Sequence, residues 1–244
     1  MQTTILGRTG LKVSRLGVGG GGPSQLGHGN STGVPADDST TIVRLAMDSG
    51  VNFIDTAEAY RTEAIIGEAI RGIPRDQLVL STKKTTWGEQ AITPADVRAS
   101  LEASLKRLGT DYVDIYSLHG IGVEEYDYLA SEIIPVFQQL QTEGKIRFIG
   151  ITEAFHSDTQ HIMLQRALQD DEGKDHPEGG ATSIPDAAYR FCRDEPGTHV
   201  ILSGTGSVEH MRANLESIER PPLPEAVTSR LKTIFRRVDS VSGQ

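Results

Sequence analysis

Six short apolar runs alternate with helix-period segments, and this alternation restricts the chain to strands that lie parallel under a layer of helices. The runs are residues 15–19, 52–55, 78–82, 113–118, 146–151 and 199–203. Apolar residues at helical spacing mark 40–48, 63–71, 93–108, 131–142, 157–169 and 208–218. The 93–108 segment is the best delimited. Thr93 suits its cap, Pro94 its first position, and Val97, Leu101, Leu105 and Leu108 recur along one face before Gly109. Pro135 is tolerable only in the first turn of the 131–142 helix. Ahead of the first unit, residues 2–13 read as a β-hairpin turned by Gly7-Arg8-Thr9-Gly10.

The pattern predicts an α/β fold of the TIM (β/α)8 type in a single domain over 1–244, with six clear strands and an N-terminal hairpin. A closed barrel of this type has eight strands. Residues 152–199 hold helical patterns but no clear β run, and 170–180 is polar and rich in Gly, Asp, Glu and Lys. Three explanations stand side by side: an internal deletion near 170–180, an unusually shortened barrel, or a sequence from which a stretch is missing. A six-stranded remnant leaves two open parallel edges, normally a costly arrangement. A further helix is expected over 224–238 and a flexible tail at 239–244.

Barrel strands bring their ends to one mouth. Here the run 52–55 ends in Asp55 with Tyr60 just beyond, 78–82 leads into Lys83, and 113–118 leads into His119. A carboxylate, a phenol, an ammonium group and an imidazole converging there are the parts needed to protonate a carbonyl oxygen during hydride transfer. Taken singly, each has a plainer reading: Asp55 a turn cap, Tyr60 a packed loop aromatic, His119 a core histidine. Strand alternation turns Val79, Ser81 and Lys83 to one side; of Lys83 and its neighbour Lys84 one is read as solvated. A second signal lies at 202–214. There a strand runs through Gly204-Thr205-Gly206 into a helix capped by Ser207, and such a helix N-terminus attracts phosphate.

On these residues the chain resembles the aldo-keto reductase family, whose catalytic tetrad is Asp, Tyr, Lys and His in that order. The family's lysine position directly follows Ser81-Thr82, which favours Lys83 and leaves Lys84 as the solvated one. The likeness runs from Gln2 to about Asp171 and from Gly180 to Ile218. It implies that Tyr60 is the general acid and that Lys83 lowers its pKa. It implies too that Asp55 holds Lys83 and that His119 orients the substrate oxygen. Gly204, Thr205, Ser207, His210 and Asn214 would contact the adenosine half of a nicotinamide dinucleotide, and Thr152 the nicotinamide carboxamide. Where many relatives carry Ser-Asn after the fifth strand, this chain has Thr152-Glu153, and Glu153 only accepts when ionised. Where they carry Lys or Arg near a 2′-phosphate, it has Gly204 and His210. NADP(H) is expected ahead of NAD(H), with Arg212 a further cation nearby.

Other function classes are disfavoured. The net charge of −9 argues against a nucleic-acid partner. A single cysteine, Cys192, permits no internal disulfide, and with no apolar N-terminal segment the cytoplasm is the expected compartment. No run is long enough for a membrane span, and no metal-ligand motif occurs, so no metal is expected. Residues 17–22 match G-x-G-x-x-G, but loop residues follow where a dinucleotide fingerprint opens a helix. The expected activity is reversible reduction of a small aldehyde or ketone, aldose oxidation included, with oligomeric state open. The alternative is a catalytically silent binding or regulatory protein, or a barrel fragment.

Overall fold

Two glycines with positive φ, Gly7 (+48°) and Gly10 (+72°), turn the chain tightly enough for β1 (Thr3–Ile5) to pair antiparallel with β2 (Lys12–Ser14). The computed structural model describes residues 1–27, 39–88, 91–121, 125–153 and 181–235. Beyond the hairpin come β3 (Leu16–Gly19), β4 (Phe53–Asp55), β5 (Val79–Thr85), β6 (Val113–Ile121), β7 (Ile146–Glu153) and β8 (Ile201–Ser203). They form one sheet in the order β7-β6-β5-β4-β3-β8, and every neighbouring pair is parallel. These are the six expected strands. Among the described residues β7 and β8 do not pair, so the barrel wall is not closed there.

Among the described residues the longer helices are α1 (Ser39–Asp48), α2 (Glu63–Ala69), α3 (Pro94–Leu108), α4 (Ile134–Thr142), α5 (Ile184–Asp194), α6 (Val208–Glu219) and α7 (Glu225–Phe235). The helix expected over 157–169, the polar segment 170–180 and the tail 239–244 lie outside the described residues. Helix α3 starts where its sequence signals say. The Thr93 hydroxyl accepts from the Asp96 N–H (3.3 Å) while the Asp96 carboxylate accepts from the Thr93 N–H (2.8 Å), a reciprocal capping box. Gly109, at φ +68°, ends it. Before α4 the chain is already helical from Tyr126, earlier than expected, and passes through a π segment, Leu129–Ile133. The Ile134 N–H there reaches back to the Leu129 carbonyl, and Pro135 falls in the first turn of the α-helix that follows.

A two-residue period sends alternate strand side chains to opposite faces. On the outer face Leu16, Val18, Ile54, Leu80, Tyr116 and Leu118 pack with helix residues such as Ile42, Ile66, Leu101 and Phe137 to form the main core. Each such fully buried large side chain stabilises the fold by about 1.5–3 kcal/mol. Gly67 lets α2 press against α3: a Cβ there would lie 2.3 Å from the Arg107 carbonyl oxygen. Buried Glu63 ties the same layer together, accepting from the Thr82 hydroxyl (2.6 Å) and the Arg107 guanidinium (2.6 Å). On the inner face Phe53, Val79, Ile115, Phe148 and Val200 meet Leu6, Leu11 and Val13 of the hairpin, which plugs the floor. Continuing along the same inner rows are Asp55, Ser81 and Lys83, Ser117 and His119, and Thr152, at the strands' C-terminal mouth. No described helix is long and apolar enough to cross a membrane, and no described His, Cys, Asp and Glu cluster is placed to hold a metal ion.

Candidate active site

Strands β5 and β6 run further than their apolar stretches, to Thr85 and Ile121, because polar inward residues continue the ladder at the mouth. Register sets Asp55 beside Ser81 and Thr85 beside His119. From two residues beyond Ser81, Lys83 reaches back to Asp55, with Nζ 2.5 Å from Oδ2, and to the Thr56 carbonyl at 2.8 Å. The Ser81 hydroxyl donates to the other Asp55 oxygen at 2.8 Å. The pair is nearly buried, with side-chain exposures of 6% for Lys83 and 13% for Asp55. Desolvating two ions is offset only when their remaining valences are satisfied, and here Thr56 and Ser81 supply those bonds.

Tyr60 rides on a single 3-10 turn, Glu58–Tyr60, closed by Arg61 in the left-handed region at φ +61°. Its hydroxyl lies 3.0 Å from His119 Nε2, and the two rings meet edge to face at 5.2 Å and 88°. Lys83 Nζ is 5.1 Å from the Tyr60 ring centroid. The glycine loop after β3 walls the phenol: a Cβ on Gly21 would stand 2.5 Å from the Tyr60 ring. Trp87, 52% exposed, sets its ring 4.6 Å from that of His119. The structure thus brings Asp55, Tyr60, Lys83 and His119 to one rim.

Two electrostatic expectations are corrected. Tyr60 is not tuned downward: burial, followed by the Asp55 charge, pushes its phenol up from the ordinary value. The physical reason is that a phenolate here would lose its water and face the Asp55 carboxylate, and both disfavour the charged form. Lys84 is not solvated either, since its ammonium pairs with Glu58 at 2.8 Å and is only 13% exposed. Strand alternation turns it to the face opposite Lys83.

Burial, and then the Lys83 charge, lower His119 to about 4. At neutral pH it is therefore an uncharged imidazole with one donor and one acceptor nitrogen. Between pH 6.5 and about 4 the unfolded chain takes up a proton at this position that the folded chain refuses. Stability should fall as pH drops through that window and be insensitive to this group above it. Urea unfolding across the window checks this, and His119→Gln is expected to flatten the slope.

The second segment forms the adjoining rim. Gly204 abuts the β3 loop, where a Cβ would lie 3.3 Å from the Gly19 carbonyl oxygen and 3.4 Å from that of Gly21. Thr205 Oγ1 accepts from the Ser207 N–H (3.1 Å), and Ser207 caps α6 by accepting from the His210 N–H (3.3 Å). The His210 side chain is exposed. The Asn214 amide donates to the Ser203 hydroxyl at 2.9 Å, within its own unit. Thr152 accepts from the Gly120 N–H at 3.0 Å, tying β7 to β6. At 17–22 no helix opens on the glycines: β3 ends at Gly19 and a loop follows. Sequence reasoning passed over Glu58 and Trp87 as site residues, and singled out the glycine run 17–22 without tying Gly21 to Tyr60. Of these, only the glycine run carried a signal, and its value is close approach to Tyr60.

Parallel strands under helices, a hairpin-plugged floor and polar side chains at the C-terminal mouth define a TIM-barrel-type α/β protein. Residues 15–177 match the sequence model of the Aldo/keto reductase family, and the chain belongs to that family. L-galactose dehydrogenase of Arabidopsis thaliana is 41% identical over 158 residues, covering 62% of this chain and 48% of that protein. The NADH-specific methylglyoxal reductase of Escherichia coli (strain K12) is 33% identical over 184 residues, covering 66% and 54%. The chain thus spans about half the length of these two relatives. An aldo-keto reductase from Bacillus halodurans in its holo form superposes with a TM-score of 0.68 at 22% identity, covering 96% of each chain. A thermostable aldo-keto reductase in complex with the inhibitor epalrestat gives a TM-score of 0.70 at 23% identity, covering 96% of this chain and 100% of its own. Those two likenesses concern the fold.

Proposed function

We propose that this chain interconverts a small aldehyde or ketone and the corresponding alcohol with a nicotinamide dinucleotide, Tyr60 moving the proton. The observation that carries the reading is the Tyr60 hydroxyl 3.0 Å from His119 Nε2, with the Lys83–Asp55 pair beside the phenol ring. Hydride for the carbonyl carbon would come from a reduced nicotinamide when one is bound. Tyr60 gives its proton to the carbonyl oxygen, and uncharged His119 hydrogen-bonds that oxygen and fixes its approach. A phenol is protonated at neutral pH in any case, so the acid form that reduction needs is present, although burial and Asp55 make it a weaker acid. The phenolate left behind faces the Lys83 ammonium. Trp87, beside His119 and half in solvent, forms one wall for the substrate.

The rim at Gly204–Ser207 suits the cofactor's phosphates: a glycine turn opens onto a capped helix N-terminus, whose dipole favours an anion. Thr152, accepting from Gly120, keeps its hydroxyl hydrogen to donate to a carboxamide oxygen. His210 and Arg212, both exposed on α6, are the groups for a 2′-phosphate, which favours NADP(H). The name of the Escherichia coli relative makes NADH the necessary comparison, and that of the Arabidopsis relative puts L-galactose on the substrate panel.

Trp87 is the only tryptophan, so its fluorescence reports on this mouth. Saturable quenching by NADPH, followed by its oxidation when an aldehyde is added, is the expected result. No binding of either dinucleotide, with oligomers that grow with concentration, would favour the silent binding protein instead.

A further inference from the structure

We propose that Glu58 is a positioning residue: paired with Lys84 on the far side of β5, it fixes the turn that presents Tyr60. The inference rests on the role given to Tyr60 above. That phenol is carried not by a strand but by one 3-10 turn, a weak element in isolation. The turn ends on Arg61 with φ +61°, a conformation that costs a non-glycine residue about 1–2 kcal/mol. Something outside the turn has to hold it.

Glu58 opens the turn, and its carboxylate does the holding. One oxygen accepts from the Lys84 ammonium at 2.8 Å and the Thr85 N–H at 2.9 Å, and the other accepts from the Ser100 hydroxyl. Three donors from β5 and α3 therefore converge on a side chain only 20% exposed. Ser100 is itself fixed, lying 3.3 Å from the hydroxyl of Tyr116, whose ring stacks on Phe137 at 4.8 Å in the core. Burial opposes ionisation of Glu58, but the bonds from Lys84, Ser100 and Thr85 prevail and hold its carboxyl below the usual range.

Strand β5 thus grips the β4–α2 connection from both faces. Lys83 takes Asp55 on the inner face, and Lys84 takes Glu58 on the outer face. Tyr60 follows two residues after the second grip. Loss of that grip frees the phenol relative to Lys83 and His119 without touching either.

Two measurements on the full chain test this. Alkaline difference spectra, with the Tyr60→Phe counterpart of each protein (Tyr60→Phe for the parent, Glu58→Ala/Tyr60→Phe for Glu58→Ala) subtracted to isolate one phenol, should show Tyr60 of Glu58→Ala titrating at lower pH than in the parent, as the loosened ring meets water. An unmoved titration would overturn the proposal, and this readout needs no turnover. In steady state, Glu58→Ala should lower kcat about tenfold or more, leave the KM for NADPH within about twofold, and add no further loss to Tyr60→Phe. Fully additive losses would mean a general structural role and overturn it. Glu58→Gln, which keeps an oxygen for Lys84 and Thr85, should stay within a few-fold of the parent rate, and damage equal to Ala would count against the clamp. If Tyr60→Phe itself keeps full turnover, the catalytic reading fails while the titration still decides the positioning.

Discussion

A Tyr60→Phe variant is expected to bind nicotinamide dinucleotide as the parent does and to turn over about two to four orders of magnitude more slowly. The change deletes one oxygen and leaves the ring. The contact with the Gly21 backbone, the edge-to-face packing on His119 and the ring's approach to the Lys83 ammonium all remain, so the mouth keeps its shape. Losing the hydroxyl's bond to His119 costs about 1 kcal/mol, too little to unfold a domain of this size. The proton is what disappears. Uncharged His119 replaces it poorly, because its low pKa marks an imidazole that does not carry a spare proton at neutral pH. The check is a kcat and KM comparison with a cofactor titration on the same preparation. Turnover within a few-fold of the parent would remove Tyr60 from the chemistry.

The sheet and the rim were legible in the sequence to different depths. Each strand announced its buried start through apolar residues, and parallel order followed from the intervening helices. Strand ends were harder to read because the mouth is polar: Lys84 and Thr85 belong to β5, and His119 to Ile121 belong to β6, yet each looks like loop to a hydropathy reading. Helix α3 was readable to the residue because its cap, proline and terminal glycine are local signals. The early helical start at Tyr126 was not, since the π segment that leads into Pro135 has no comparable signature.

At the site, the pairing of Asp55 with Lys83 was implied by the family resemblance, and strand alternation agreed with it. The direction of the Tyr60 shift could not be read, because it depends on how deeply the phenol is buried, the Gly21 wall included, and on how strongly the Asp55 charge reaches it. Lys84 misled for a related reason. A charged residue facing out from a strand is read as solvated, but this strand's outer face lies under α3, and Glu58 and Ser100 wait there.

The buried pair itself yields the largest expected stability change. Lys83→Met keeps an unbranched side chain one atom shorter and removes its charge, leaving the Asp55 carboxylate in a site 13% exposed with the Ser81 hydroxyl as its remaining bond from the present set. Removing one member of such a pair costs about 3–5 kcal/mol, because the other charge stays buried and uncompensated. Urea unfolding at neutral pH should show a loss of that size. Adding Asp55→Asn to Lys83→Met removes the stranded charge, so the double variant is expected to regain most of the lost stability. It should not regain turnover, which falls about a hundredfold or more when a charge aimed at the developing anion is deleted. The two readouts therefore separate in the double variant: a stable protein whose phenolate has no ammonium beside it. Recovery of turnover along with stability would show that Lys83 serves only to neutralise Asp55, and that the proton leaves Tyr60 without its help.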